Sequence, residues 1–283
     1  MRNHWLHILN LLAVILIGFL LFSLPAYAQT PRTRQHQMEK RILLARDIEY
    51  EIQFGREIAA RIIGRYGLYD DKELTRYVNL IGRSISRAAN RPEIRFTVGI
   101  LDTDYINAYA APGGFIFVTR GVIESIDDEA QLAGVIAHEI IHITQRHIMR
   151  ELNISTGPEL STVCVLTQII GGTSDPARIA LTKMVDETIT ILFDRGYHRD
   201  DEMEADTLGV ILASSAGYDP SGLARYLGKI ESLSEAEVSS YKGLYPPIEE
   251  RIRYINKAMN QEGLSAGNSV YLIGEKRFSE YTH

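Results

Sequence analysis

The chain has 283 residues, 45% of them hydrophobic, and a formal net charge of −6 at pH 7. That length buries one sizeable core in a single domain, and the acidic balance argues against nucleic acid and against tight binding to anionic lipid. The sole cysteine, Cys164, cannot form an intrachain disulfide and reads as a small core residue, so stability comes from packing and from any bound ion.

Residues 1–28 read as a signal peptide. Arg2 supplies the positive start, residues 11–22 an apolar run, and Ala26-Tyr27-Ala28 the small-residue cleavage site. The run falls short of the about 20 residues that a spanning helix needs. A periplasmic or secreted product is therefore expected. The alternative is an uncleaved anchor over residues 8–24, facing the periplasm, which would have to admit Asn10 and Ser23. No cysteine follows the run to carry a lipid, so membrane contact is possible but not required. Residues 29–40 are expected to be a flexible, basic leader, residues 41–263 the folded domain and residues 264–283 a tail.

Within 41–65, apolar Leu44, Ile48, Ile52, Ile58 and Ile62 recur at helical spacing. A second helix is predicted from Asp70 or Asp71 to Ala89, burying Leu74, Tyr77, Val78, Ile81, Ile85 and Ala88. Residues 94–98 alternate as a strand, 106–110 form a second, and 115–119 a third after the Pro112-Gly113-Gly114 turn. Asp127, Asp128 and Glu129 open a helix that is apolar nearly all round from 132 to 143, and so central and buried. A moderately apolar stretch at 160–170 ends at Gly171-Gly172, and a helix is expected over 176–193. An acidic helix beginning near Asp200 runs to about Gly217, Pro220 opens the next, and Pro247 starts a last one ending near Gly263. The fold class is α+β: mainly helical, with a small three-stranded sheet.

The central helix carries His138-Glu139-Ile140-Ile141-His142. Residues four apart share a helix face, so both imidazoles can aim at one ion. Glu139 sits one position on, within reach of a water at that ion. The pattern suits a zinc peptidase, in which two neutral nitrogens hold the metal and a carboxylate takes the proton of the attacking water. Two buried, hydrogen-bonded histidines would give the same five letters. A di-iron carboxylate bundle would need a second E-x-x-H; the one present, Glu280 to His283, ends the chain, where no packed helix is expected.

The acidic helix can supply a third ligand. Glu202 and Asp206 share a face while Glu204 points away. Glu202 would complete a two-histidine, one-glutamate set for one Zn²⁺ per chain, and Asp206 could accept the second N–H of a ligand histidine. A solvated acidic helix start is the alternative reading of the same residues. His147 lies off the metal face and is expected to make a structural hydrogen bond. His198, just before the acidic helix, could line the site as an oxyanion stabiliser. Arg251 is assigned to structure, paired with an acid near the site.

H-E-I-I-H followed some sixty residues later by E-M-E-A-D resembles the gluzincin metallopeptidases of the CAAX prenyl endopeptidase and HtpX, and among them the periplasmic branch of the β-barrel assembly-enhancing protease. The likeness extends to Tyr77-Val78-Asn79-Leu80-Ile81-Gly82, Asn107-Ala108-Tyr109-Ala110-Ala111-Pro112-Gly113-Gly114, Phe117-Val118-Thr119-Arg120-Gly121, Gln145-Arg146-His147 and Pro246-Pro247-Ile248-Glu249-Glu250-Arg251-Ile252, roughly residues 40–260. It implies a minigluzincin-like zinc endopeptidase with His138, His142 and Glu202 as ligands and Glu139 as general base. Such an enzyme pairs extended protein or peptide substrate with an edge strand, here at Asn107 and Ala108, with Gly114 among the substrate-binding positions. Envelope protein quality control is the implied setting. A catalytically silent, metal-binding chaperone of envelope proteins is the alternative. Two departures stand out. No helical-repeat extension follows, so no repeat-type partner domain is expected. Tyr245 replaces a histidine that in several relatives can approach the zinc; its phenol could instead steady the oxyanion.

Overall fold

The computed structural model describes residues 31–152, 175–233, 245–268, 271 and 274–282. The expected signal peptide, Cys164, the stretch at 160–172 and most of the loop before Tyr245 lie outside these residues. The chain divides into two units, 1–43 and 44–283. In the first unit, residues 35–42 are helical and exposed. The leader expected to be flexible is, from Pro31, the start of a long helix α1 (Pro31–Tyr66). Proline suits a first helical turn, and no further proline or glycine interrupts the helix before Gly55. Among the described residues no helix is long and apolar enough to cross a membrane.

In the second unit, α1 buries acidic Asp47 and Glu51 and then an apolar stripe from Phe54 through Ile58 and Ile62, whereas Leu44 remains 60% exposed. Helix α2 (Lys72–Ser86) is capped by Asp71, whose carboxylate accepts the Leu74 N–H at 2.8 Å. Its expected stripe is buried through Ile85; Ala88 lies past the helix end and is exposed.

The sheet holds β1 (Thr97–Leu101), β2 (Ala108–Ala111) and β3 (Phe115–Thr119). The order is β1-β3-β2, with β1 parallel and β2 antiparallel to β3. Strand β2 is thus an edge. The first strand starts later than its alternation predicts: Ile94 turns back to Arg91 through a 3.1 Å backbone bond, and Ile94 and Phe96 bury as irregular chain.

After a short helix α3 (Arg120–Ser125) comes α4 (Glu129–Thr144), whose residues are buried from Glu129 to Ile143. It is the central element that its all-round apolarity predicts. Asp128 caps it by accepting the Gln131 N–H at 2.9 Å. Helices α5 (His147–Glu151), α6 (Asp175–Thr190), α7 (Arg199–Ser215), α8 (Gly222–Ser232) and α9 (Ile248–Gln261) follow, with a π-helical turn at Ile191–Arg195. Pro247 stands just before α9 as its N-cap rather than in its first turn.

Two glycines let backbones meet at α4. A Cβ on Gly209 of α7 would lie 3.1 Å from the His138 nitrogen, and one on Gly222 of α8 would lie 2.1 Å from the Ala130 oxygen. The C-terminal segment is not only a tail. Helix α10 (Glu275–Thr282) buries Phe278 in the main core, and Arg277 ion-pairs with Glu129 at the start of α4. Glu280 therefore does lie on a packed helix, yet it joins no metal-competent cluster among the described residues.

Candidate metal centre

Helix periodicity puts His138 and His142 one turn apart on α4, with their Nε2 atoms 3.0 Å apart. The approach of α7 at Gly209 brings Glu202 across from them. One carboxylate oxygen lies 3.5 Å from His138 Nε2, the other 3.7 Å from His142 Nε2. Three ligand atoms about 2.0–2.1 Å from a tetrahedral zinc stand roughly 3.3 Å from one another, so this triangle fits such an ion. Glu202 is fully buried, and neither of its oxygens has a hydrogen-bond partner among the described residues. An orphaned buried carboxylate is costly unless a cation meets it. Arg251 Nη2 approaches only to 3.7 Å. The donor set and the orphaned acid both suit zinc.

Asp206, one turn along α7, lies 3.0 Å from His138 Nδ1. Burial would raise its pKa, but the Arg251 guanidinium and then the His138 contact hold it down at about 2. Burial would lower His138, yet Asp206 and Glu202 push it up to about 9. His142 has no such acid. Burial, and then the charge on His138, holds it well below the ordinary histidine range. Glu139 is buried beside them and pushed up to about 7, mainly by burial, with Glu202 adding to the shift while His138 and Arg251 oppose it.

A small cavity of about 30 Å³ opens beside His138 and Glu139, walled by Asn107, Ala108, Tyr245 and apolar Leu223 and Leu227. Asn107 accepts from the Ala108 N–H at 2.8 Å and from the Tyr245 hydroxyl at 2.7 Å. The structure therefore gathers His138, Glu139, His142, Glu202, Asp206, Asn107, Ala108 and Tyr245.

Two candidates are not gathered. Gly114 lies at the far end of the hairpin, where a Cβ would stand 2.5 Å from the Arg95 oxygen, so it is needed for a tight turn. His198 has a 79% exposed side chain and approaches Glu151 at 3.4 Å, because its position before α7 turns it to solvent. Glu204 points away from the His138 cluster, as its spacing predicts, and meets His147 and Arg150.

Tyr197 was not foreseen. Its ring stacks on His142 with centroids 4.1 Å apart, from the short link between the π-helical turn and α7. An aromatic residue between two helices carries no periodic signal that would reveal such a contact.

The sequence matches the Peptidase family M48 over residues 72–259, well over half of the chain. The chain belongs to peptidase family M48. The M48 match spans α2 through most of α9 and so contains the whole constellation. Identity to the β-barrel assembly-enhancing protease of Escherichia coli K12 is 31% over 196 residues, 68% of this chain and 39% of that protein. The putative β-barrel assembly-enhancing protease of Vibrio cholerae shares 26% over 205 residues, 71% of this chain and 41% of that protein. The human mitochondrial metalloendopeptidase OMA1 shares 24% over 174 residues, 60% of this chain and 33% of its own length. The chain thus spans about two fifths of the bacterial relatives and a third of the mitochondrial one. M48 membership and the buried His138, His142 and Glu202 cluster agree on a divalent-metal site.

Proposed function

We propose that this M48 chain is an exported zinc-dependent endopeptidase acting on envelope proteins, in their quality control. The observation that carries the reading is the convergence of two imidazoles and a buried carboxylate, without a hydrogen-bond partner among the described residues, beside the buried acid Glu139. His138, His142 and Glu202 would hold one zinc per chain. When bound, that ion supplies Lewis acidity, polarising the scissile carbonyl and easing ionisation of a water toward a pKa of about 7.

The remaining work falls to the chain's own residues. Glu139, held near neutrality, takes a proton from the attacking water and delivers it to the leaving amine. Asp206, fixed by Arg251, holds His138 by Nδ1 so that Nε2 faces the metal. Substrate lies extended along the free edge of β2, with Asn107 and Ala108 aligning its backbone. The Tyr245 hydroxyl, at the cavity wall, gives up its bond to Asn107 to donate to the developing oxyanion. Export is supported by the leader composition at residues 1–28, and the envelope setting by the names of the bacterial relatives.

Metal analysis joined to a casein digest tests the reading. One zinc per chain with cleavage that Glu139→Gln abolishes supports it. A metal-free chain, or cleavage that survives in that variant, sinks it.

A further inference from the structure

His147 sits five residues after His142, and its ring is fully buried. In an unbroken α-helix that spacing puts the two side chains about 140° apart around the axis. They nevertheless meet, Nδ1 to Nδ1, at 2.7 Å. Arg146 is the cause. It is the one non-glycine among the described residues with positive φ, at φ 57° and ψ 40°, and it ends α4 so that α5 restarts with His147 turned back. Such strain persists only where the surroundings enforce it, and it gathers at functional sites. Here Asp47 and Glu51 hold the Arg146 guanidinium at 3.0 and 2.8 Å.

The proton positions follow from tautomer logic. A neutral imidazole has one donor and one acceptor nitrogen. His142 Nε2 faces His138 and Glu202, so its lone pair points there and its proton is on Nδ1. That N–H can only donate to His147 Nδ1. His147 then carries its proton on Nε2, which faces Glu204 at 3.3 Å. Glu204 and Asp201 are in turn fixed by Arg150 at 2.7 and 2.6 Å. His147, Asp201 and Glu204 offer ligand atoms within 4.8 Å of one another. The guanidinium already stands among them, so the cluster anchors His147 and is not a second metal site.

We propose that His147 is a positioning residue for the metal centre: it accepts the Nδ1 proton of His142 and, braced by Glu204, fixes the tautomer that presents Nε2 to zinc. The two ligand histidines are thus held differently, His138 by an acid and His142 by a second imidazole. The inference rests on the metallopeptidase reading.

The test measures zinc affinity of the full chain by competition with a chromophoric chelator, and the visible spectrum of the Co²⁺-loaded chain. His147→Leu removes the acceptor, whereas His147→Asn places an amide oxygen where Nδ1 stood. The Leu variant should bind zinc about 10- to 100-fold more weakly and change the Co²⁺ spectrum, and the Asn variant should recover most of both. Wild-type affinity in the Leu variant, or an Asn variant as weak as Leu, overturns the proposal. Should the Leu variant not fold, Glu204→Ala decides: weakened zinc binding supports the relay and unchanged binding overturns it. A wild-type chain that takes up no zinc would sink the metallopeptidase reading itself. Zinc-loaded wild type with indifferent variants sinks only the role of His147.

Discussion

Arg251 grips Asp206 with two hydrogen bonds, Nε to Oδ2 at 2.8 Å and Nη2 to Oδ1 at 2.7 Å, both residues being buried. Asp206 Oδ1, which accepts from Nη2, also lies 3.0 Å from His138 Nδ1, so a cation on α9 reaches the metal centre on α4 through α7. Arg251→Met leaves Asp206 and Glu202 buried without that cation. The metal-free chain should lose about 3–5 kcal/mol. Zinc at a hundred times its Kd should restore about 2.7 kcal/mol. Urea unfolding with and without zinc checks both. An Arg251→Met chain as stable as wild type would show that the pair contributes no net stability.

Zinc uptake should release a proton. His138 stands at about 9 in the metal-free chain, above the ordinary 6.5, so it is protonated at pH 7. His142 is lowered and already neutral. Binding must expel the His138 proton, so zinc affinity should rise about tenfold per pH unit toward pH 9 and then level off. Calorimetry in buffers of different ionisation heat should read about one proton per zinc at pH 7. Heats that do not depend on the buffer would count against this.

Glu139→Gln should keep zinc while lowering peptide hydrolysis by on the order of 10²- to 10⁴-fold or more. It should also stabilise the metal-free chain. The carboxyl's folded pKa of about 7 exceeds the ordinary 4.5, so its ionised form is disfavoured by folding. That cost is absent below pH 4.5, grows toward pH 7 and is complete above it. The variant's gain at pH 8 should be on the order of a few kcal/mol, vanishing at pH 4. A loss of stability at pH 8 would mean that the ionised acid is not penalised.

Tyr245→Phe deletes the hydroxyl that donates to Asn107 at 2.7 Å. Zinc content should not change, and kcat should fall by about 10²-fold, as for loss of one oxyanion donor. A change confined to KM would instead make Tyr245 a substrate-alignment group acting through Asn107.

Arg277→Ala should loosen the C-terminal helix. Glu129 is 1% exposed at the start of α4 and would keep the Tyr77 hydroxyl, which donates to it at 2.6 Å, but, among the described residues, no cation in place of the arginine. Because the arginine itself is half exposed, the loss should be about 2 kcal/mol, less than for a fully buried pair. Denaturation midpoints would read it; an unchanged midpoint would show that α10 docks through its apolar contacts, Phe278 in the core and Tyr281 stacked on Tyr77, without the ion pair.

Local chemistry in the sequence determined much of this protein. The all-round apolar run of α4, its Asp128 cap, the spacing of His138 and His142 and the shared face of Glu202 and Asp206 all follow from helix periodicity and side-chain type. The edge position of β2 followed a resemblance, and the sheet order agrees with it.

What periodicity cannot contain is how elements cross. Gly209 lets α7 close on His138, and only that approach makes Glu202 and Asp206 neighbours of α4. The same packing set Arg251 on Asp206 and stacked Tyr197 on His142. It also left His198 at the surface and Gly114 at the far end of its hairpin. Arg146 bends backwards although nothing in its own side chain asks for it; buried Asp47 and Glu51, about a hundred residues earlier, hold it there. Periodicity fixes which face of an element a residue occupies, and that is a local property. Distances between faces depend on close packing and charge pairing between segments remote in sequence, which exist only once the chain has folded.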